Sequence, residues 1–258
     1  MSQKRQAAVF EALADSRSQI MSLTQDYAAG HVIPLHFHNR DQLIYASRGV
    51  MTVRTQDGAW VVPTHRAVWI PASVPHTVAM SGAVAMRTLY LRARLAELPR
   101  DCCVVNVPPL LRELILHVCA IGSLKKTIQR ENHLMMLILD QLEASPRIPL
   151  QLRNPSDPRA LRVSAALLAV PSDRRPLAQI CKGYGASKRT IERLFQAEVG
   201  MTFSKWRQQL RLMQAMRLLA EGAKVTHAAL ESGYSTPSAF ICMFRKALGT
   251  TPAVYFAA

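Results

Sequence analysis

Leu177–Phe195, LAQICKGYGASKRTIERLF, and Val225–Phe244, VTHAALESGYSTPSAFICMF, follow one plan. Each opens on small apolar residues and turns at a glycine, Gly185 or Gly233. Each restarts on a hydroxyl residue, Ser187 or Ser235/Thr236, that suits a helix N-cap. Each second run ends on an aromatic, Phe195 or Phe244. A short helix, a glycine turn and a capped second helix predict a helix-turn-helix, here duplicated. In that motif the second helix enters the DNA major groove with its first residues at base edges.

The residues at those positions suit the task. Lys188, Arg189, Thr190 and Arg193 share the polar side of the first reading helix, opposite Ile191, Leu194 and Phe195. Arginine can bond guanine bidentately, and Lys, Thr and Ser reach phosphates or base edges. The second helix starts with Thr236, Pro237 and Ser238 and turns basic only at Arg245 and Lys246. It is expected to position more than it reads. Between the units, FSKWRQQLRLMQAMRLLA (Phe203–Ala220) has a helical apolar face of Phe203, Trp206, Leu210, Met213 and Met216. A helix of about 18 residues spans about 27 Å, near the roughly 34 Å between successive major grooves on one face.

Charge follows the same division. The 258 residues carry 32 Lys and Arg against 17 Asp and Glu, a net of +15. Residues 1–150 hold 16 basic and 11 acidic groups, a net of +5; residues 151–258 hold 16 and 6, a net of +10. The excess concentrates where the duplicated motif lies, as a polyanionic partner requires.

The N-terminal half has the two-residue period of strands. Leu43–Tyr45, Met51–Thr55, Trp60–Val62, Val68–Ile70, His76–Met80 and Arg87–Leu91 read as short strands. A turn is expected near Arg48-Gly49 and a hairpin at Gln56-Asp57-Gly58. Such a series predicts a sandwich or small barrel. After Pro108-Pro109 the period becomes helical: Leu110, Leu111, Leu114, Ile115, Val118 and Cys119 predict a helix over 109–121. Leu134, Leu137, Ile138 and Leu142 predict another over 127–143. SPRIPLQLRNPSDPR (145–159), with four prolines, is expected to link the halves, and Pro158 to open the next helix.

The fold class is therefore α+β with two domains. Residues 1–100 form the sheet-rich part, 101–150 a helical connector and 151–258 the all-α double helix-turn-helix. No apolar run approaches the roughly 18 residues of a membrane span, and the N-terminal MSQKRQAAVFEALADSRS lacks a signal peptide's apolar core. Five cysteines without a CxxC pair fit a reducing cytoplasm.

The stretch from Leu177 to Phe256 resembles the DNA-binding domain of the AraC/XylS transcription regulators. The matching pieces are Ser187–Thr190, Leu194-Phe195, Gly200–Phe203, Arg211 with Ala215 and Leu218-Leu219, Gly233-Tyr234, Ser238–Phe240, Phe244–Lys246 and Gly249–Pro252 with Tyr255. Cys181 and Phe256 depart from the family's usual Ala and Arg. In the N-terminal half, Gly30, His36, His38, Gln42 and Gly49 are spaced as in the first cupin motif, with Gln42 where Glu is common. Pro71 and His76 match the second cupin motif; His65 and Ser73 stand at its glycines and Met80 at its Asn. The resemblance implies an AraC-type regulator with a cupin-like barrel, most like the NimR-type subgroup.

It also implies roles. Ser187, Lys188, Arg189, Thr190, Arg193, Thr236, Pro237, Ser238, Arg245 and Lys246 are the expected DNA contacts. His36, His38, Gln42 and His76 are the expected metal or effector ligands, because imidazoles suit divalent metals and also bond organic ligands. No cofactor is required; a divalent metal in the barrel is one of two open occupants. Expected partners are double-stranded promoter DNA, RNA polymerase, a small-molecule or metal effector and a second copy of the chain. Two alternatives stay open, a cupin metalloenzyme fused to a DNA-binding module and a constitutive DNA-binding protein whose barrel only dimerises.

Overall fold

The computed structural model describes residues 18–95, 98–145, 147–148 and 151–256; the N-terminal peptide considered above and parts of the linker fall outside them. The chain divides into two units, Met1–Gln151 and Leu152–Ala258.

In the first unit the strands are β1 (Ile20–Tyr27), β2 (Val32–His36), β3 (Arg40–Thr55), β4 (Gly58–Val62), β5 (Arg66–Ile70), β6 (His76–Arg92) and β7 (Cys103–Asn106). Two of them correct the sequence reading. Leu43–Tyr45 and Met51–Thr55 are one strand, β3, and His76–Met80 and Arg87–Leu91 are one strand, β6. The expected turn at Arg48-Gly49 is a pair of register shifts between Ala46 and Val50 where β3 runs against β6. Irregularities of this kind bend a strand without ending it. Gly49 makes the bend possible: at φ +83° a Cβ would lie 2.4 Å from the Ala83 carbonyl oxygen.

The bend folds the sheet over itself. The first half of β3 pairs with β5 and the last half of β6; its second half pairs with β4 and the first half of β6. β1 and β2 then border the two halves of β6. The hairpin at Gln56-Asp57 is as expected, with Thr55 opposite Gly58.

Alternation along β3 separates two cores. Ile44 and Ala46 face inward with Met51, Trp60, Ile70, Met80 and Met86. Leu43 and Tyr45 face the other way, against Leu111, Leu114, Ile115 and Val118 of α1 (Pro109–Ile121) and Met135, Ile138, Leu139 and Leu142 of α2 (Gln129–Ala144). The stripes differ in part from those expected. Leu110 and Leu137 are exposed, and Leu134 only borders the core that Met135 and Leu139 enter. β8 (Ser123–Leu124) pairs β1, and β9 (Arg147–Ile148), inside the expected linker, pairs β7.

In the second unit α3 (Pro158–Ala169) begins at Pro158 as expected, capped by Asp157, which accepts the Arg159 N–H at 2.9 Å. It precedes α4 (Leu177–Cys181), α5 (Lys188–Leu194), α6 (Phe203–Ala220), α7 (Val225–Glu231), α8 (Pro237–Leu248) and α9 (Pro252–Phe256). The second helices continue beyond the expected aromatics. α5 passes into a π-helical turn over Phe195–Val199, and α8 runs to Leu248. Phe195, Phe203 and Trp206 pack with ring centroids 5.2 to 6.3 Å apart, and Trp206 Nε1 donates to the Arg153 carbonyl at 2.8 Å.

Candidate functional site

The two helix-turn-helices of the second unit each place a capped helix on a buried support. Ser187 Oγ accepts the Thr190 N–H at 3.1 Å, and Thr236 Oγ1 accepts the Ala239 N–H at 3.2 Å. Both hydroxyls do what N-caps do, satisfying a free donor of the first turn. The Thr190 hydroxyl also lies 2.9 Å from Ser187 Oγ.

Below the caps, Ile191 and Leu194 in α5 and Phe240, Met243 and Phe244 in α8 are buried. Ser187, Lys188, Arg189 and Arg193 are exposed, and Thr190 is half-buried. Lys188 Nζ lies 3.7 Å from Glu192, a loose pair that solvent and salt weaken. On α8, Thr236, Ser238, Arg245 and Lys246 are exposed and Pro237 is half-buried. Eight of the ten sequence-predicted residues are thus exposed, and Thr190 and Pro237 are half-buried. The sequence reading gave no role to an arginine set, Arg174, Arg207 and Arg211, although Arg211 was among the residues that match the family. The i,i+4 spacing of Arg207 and Arg211 on α6 was the other local signal.

In the first unit three histidines converge. Residues two apart on a strand share a face, so the spacing of His36 and His38 would bring them together if both lay on one strand. The strand ends at His36, and His38 sits in the following loop. Convergence has another cause: His36 lies opposite His76 in the β2–β6 register. The loop after β2 then brings His38 back over both. Ring centroids are 4.2 Å apart for His36–His76, 5.3 Å for His38–His76 and 6.1 Å for His36–His38. One nitrogen from each ring lies within 4.8 Å of the others. Ser73, standing at a cupin-motif glycine, adopts φ +66° and donates its N–H to the His38 carbonyl at 2.7 Å.

The hydrogen bonds set the tautomers. Nδ1 of His36, His38 and His76 lies 2.8, 2.7 and 2.9 Å from the carbonyls of Pro34, Arg40 and Val74. A carbonyl only accepts, so each Nδ1 carries the proton and each Nε2 keeps a lone pair. Burial is the main cause lowering all three pKa values, and His76, next to His36, is brought down to about 3. The rings are neutral near pH 7, the form that binds metals.

His76 Nε2 is buried with no hydrogen-bond partner among the described residues. His38 Nε2 lies 2.8 Å from Gln42 Oε1, and Gln42 Nε2 donates to the Tyr90 hydroxyl at 3.2 Å. Facing acceptors at His38 and Gln42 need either a cation between them or a turned amide. Protonated Nδ1 atoms held by carbonyls are also the usual outer-shell support of metal-ligating histidines. The residues present therefore fit a divalent metal, with Gln42 lowering the charge of the ligand set.

Residues 180–258 match the family described as a helix-turn-helix domain, and residues 21–151 match the AraC-like ligand binding domain. The chain is 33% identical over 224 residues to the HTH-type transcriptional regulator NimR of Escherichia coli K12, covering 87% of this chain and 82% of that protein. It is 32% identical over 127 residues to the regulator RipA of Corynebacterium diphtheriae, 49% of this chain and 36% of that one. Among solved structures, ToxT of Vibrio cholerae aligns at 11% identity and a TM-score of 0.39, over 93% of this chain and 98% of that one. The chain belongs to the AraC family of transcription regulators, with an N-terminal ligand-binding domain and a C-terminal helix-turn-helix DNA-binding domain.

Proposed function

We propose that this chain is a one-component regulator in the cytoplasm that reads promoter DNA with α5 and α8. Its activity is set by an effector at the histidine cluster. The observation that carries the DNA-reading assignment is the pair of capped second helices, each with an exposed polar face over a buried apolar one. Arg189 is the specificity residue of α5; Lys188, Thr190 and Arg193 hold neighbouring phosphates or bases. Ser187, Thr236 and Pro237 set the helix starts, while Ser238, Arg245 and Lys246 hold the backbone.

His36, His38 and His76 are the effector ligands, with Gln42 beside them. A divalent metal there would be held by the three Nε2 lone pairs and would supply a Lewis-acidic point to which an effector binds. The chain's own residues hold the tautomers and orient the rings, and the reading assigns no catalytic step. Signalling requires unequal effector affinity for two states of the protein.

A second copy of the chain is the proposed partner of the α1–α2 surface, where Ile128, Met136 and Leu137 are exposed. RNA polymerase is the partner through which promoter binding acts.

Arg189→Ala tests the reading role. Selection from a pool of randomised duplexes is expected to show relaxed preference at one base position, with about 1–3 kcal/mol of discrimination lost. Unchanged preference across the site refutes the role. Native affinity is also expected to fall steeply with salt through counterion release, and a flat dependence contradicts phosphate neutralisation.

A further inference from the structure

The segment that leads into the first helix-turn-helix is bonded to the turn of the second. Arg174 Nη2 donates to the Tyr234 carbonyl at 2.6 Å. Arg211, on the linker helix α6, donates Nη2 to the Asp173 carbonyl at 3.0 Å. Its guanidinium carbon lies 5.8 Å from the Tyr234 ring centroid, within cation–π range. One turn earlier, Arg207 donates to the Arg175 carbonyl at 2.8 Å and also to the Asp173 carbonyl. The 173–175 segment is itself stiffened: Asp173 accepts the Arg175 N–H at 2.8 Å and holds its guanidinium at 2.7 to 3.2 Å.

Two further features mark the contact. Gly233 has φ +84°, and a Cβ there would lie 2.9 Å from Arg211 Nε. The turn of the second head passes close to the guanidinium at a left-handed position that has no side chain. The electrostatics are also costly. Arg175 occupies the Asp173 carboxylate, and Arg174, Arg207 and Arg211 are held through backbone carbonyls. Burial and mutual repulsion lower the pKa values of Arg207 and Arg211. Apolar residues would join three elements at less desolvation cost. Planar donor forks give direction instead, fixing angle as well as distance.

We infer that Arg174, Arg207 and Arg211 form a bracket that fixes the two reading heads relative to each other, so that the chain accepts a single spacing between its half-sites. These are positioning residues, and the inference rests on the reading that both heads engage one duplex. With the heads held, the second binds as an intramolecular event at high effective concentration. One inserted base pair moves a half-site by about 3.4 Å and about a tenth of a turn, which a rigid pair cannot follow.

The experiment selects bound duplexes from a fully randomised pool with the full-length native chain, Arg211→Ala, Arg211→Lys and Arg174→Ala. The native chain is expected to enrich two half-sites at one spacing, with about tenfold weaker binding when one base pair is inserted. The variants are expected to enrich the same half-site sequences at scattered spacings and to lose most of that tenfold penalty. Lysine is expected not to rescue, because it keeps the charge and loses the fork. Loss of stability alone would weaken every spacing equally. Arg174 is exposed, so its substitution decides the matter even where Arg211→Ala fails to fold. Retention of one spacing by Arg174→Ala and by every folded Arg211 variant overturns the bracket alone. A native chain that enriches a single half-site overturns the two-head reading with it.

Discussion

Acid is expected to destabilise the fold around the histidine cluster. His76 is fully buried, and its pKa is brought from 6.5 to about 3 mainly by burial, then by His36, against the opposing bond to the Val74 carbonyl. Burial lowers His36 and His38 in the same direction. Above about pH 6.5 neither the folded nor the unfolded chain protonates these rings, and their neutral state costs nothing. As the pH falls below 6.5, the unfolded chain takes up protons that the folded chain refuses until about pH 3, so stability is lost across that window. Each pH unit is worth about 1.4 kcal/mol per ring, so His76 alone removes about 2 kcal/mol between pH 7 and pH 5. The assay is urea unfolding of the full chain with a metal chelator present. It is followed by hydrogen exchange of peptides from β3 and β6 at both pH values, for the native chain and for His76→Gln. The native chain is expected to lose at least about 2 kcal/mol and the variant about 2 kcal/mol less than that. Equal losses in the two proteins, or none in the native chain, refute the reasoning.

Other perturbations probe separate parts. Gln42→Glu adds a negative charge beside three neutral imidazoles and is expected to tighten cobalt(II) binding about tenfold or more, read by titration calorimetry; an unchanged affinity removes residue 42 from the ligand set. Gly49→Ala combines a left-handed backbone with a Cβ 2.4 Å from the Ala83 oxygen. It is expected to cost the first unit about 3 kcal/mol in urea unfolding, and a cost below about 1 kcal/mol would mean that the bend relaxes. Leu137, 38% exposed on α2, tests the proposed self-association. Leu137→Glu is expected to shift sedimentation equilibrium toward monomer with the fold intact, and an unshifted dimer places the contact elsewhere.

Recurring local signals made the second unit legible. A glycine turn, a hydroxyl cap and an apolar stripe occupy consecutive residues, and their geometry is set within a turn or two of helix. Ser187 caps the helix that its position announced, and of Ser235 and Thr236, both open from the sequence, Thr236 caps the other. The helix ends were less legible, since the π-helical turn after Leu194 keeps the same apolar face. In α2 an apolar run, Leu134 to Leu139, left the buried stripe ambiguous, and only packing selected Met135 and Leu139.

By itself, then, the sequence determined the two-part plan, the duplicated helix-turn-helix, the charge that accompanies it and the histidines worth watching. Only the tertiary structure decided that two pairs of expected strands are the long bent strands β3 and β6. It also decided that His38 arrives by a loop, and that Arg174 and Arg211 meet the turn at Tyr234. The physical reason is range. Caps and periodicities are written in neighbouring residues, whereas a bend, a cross-strand register and a guanidinium on a distant carbonyl are set by packing between segments far apart in the chain.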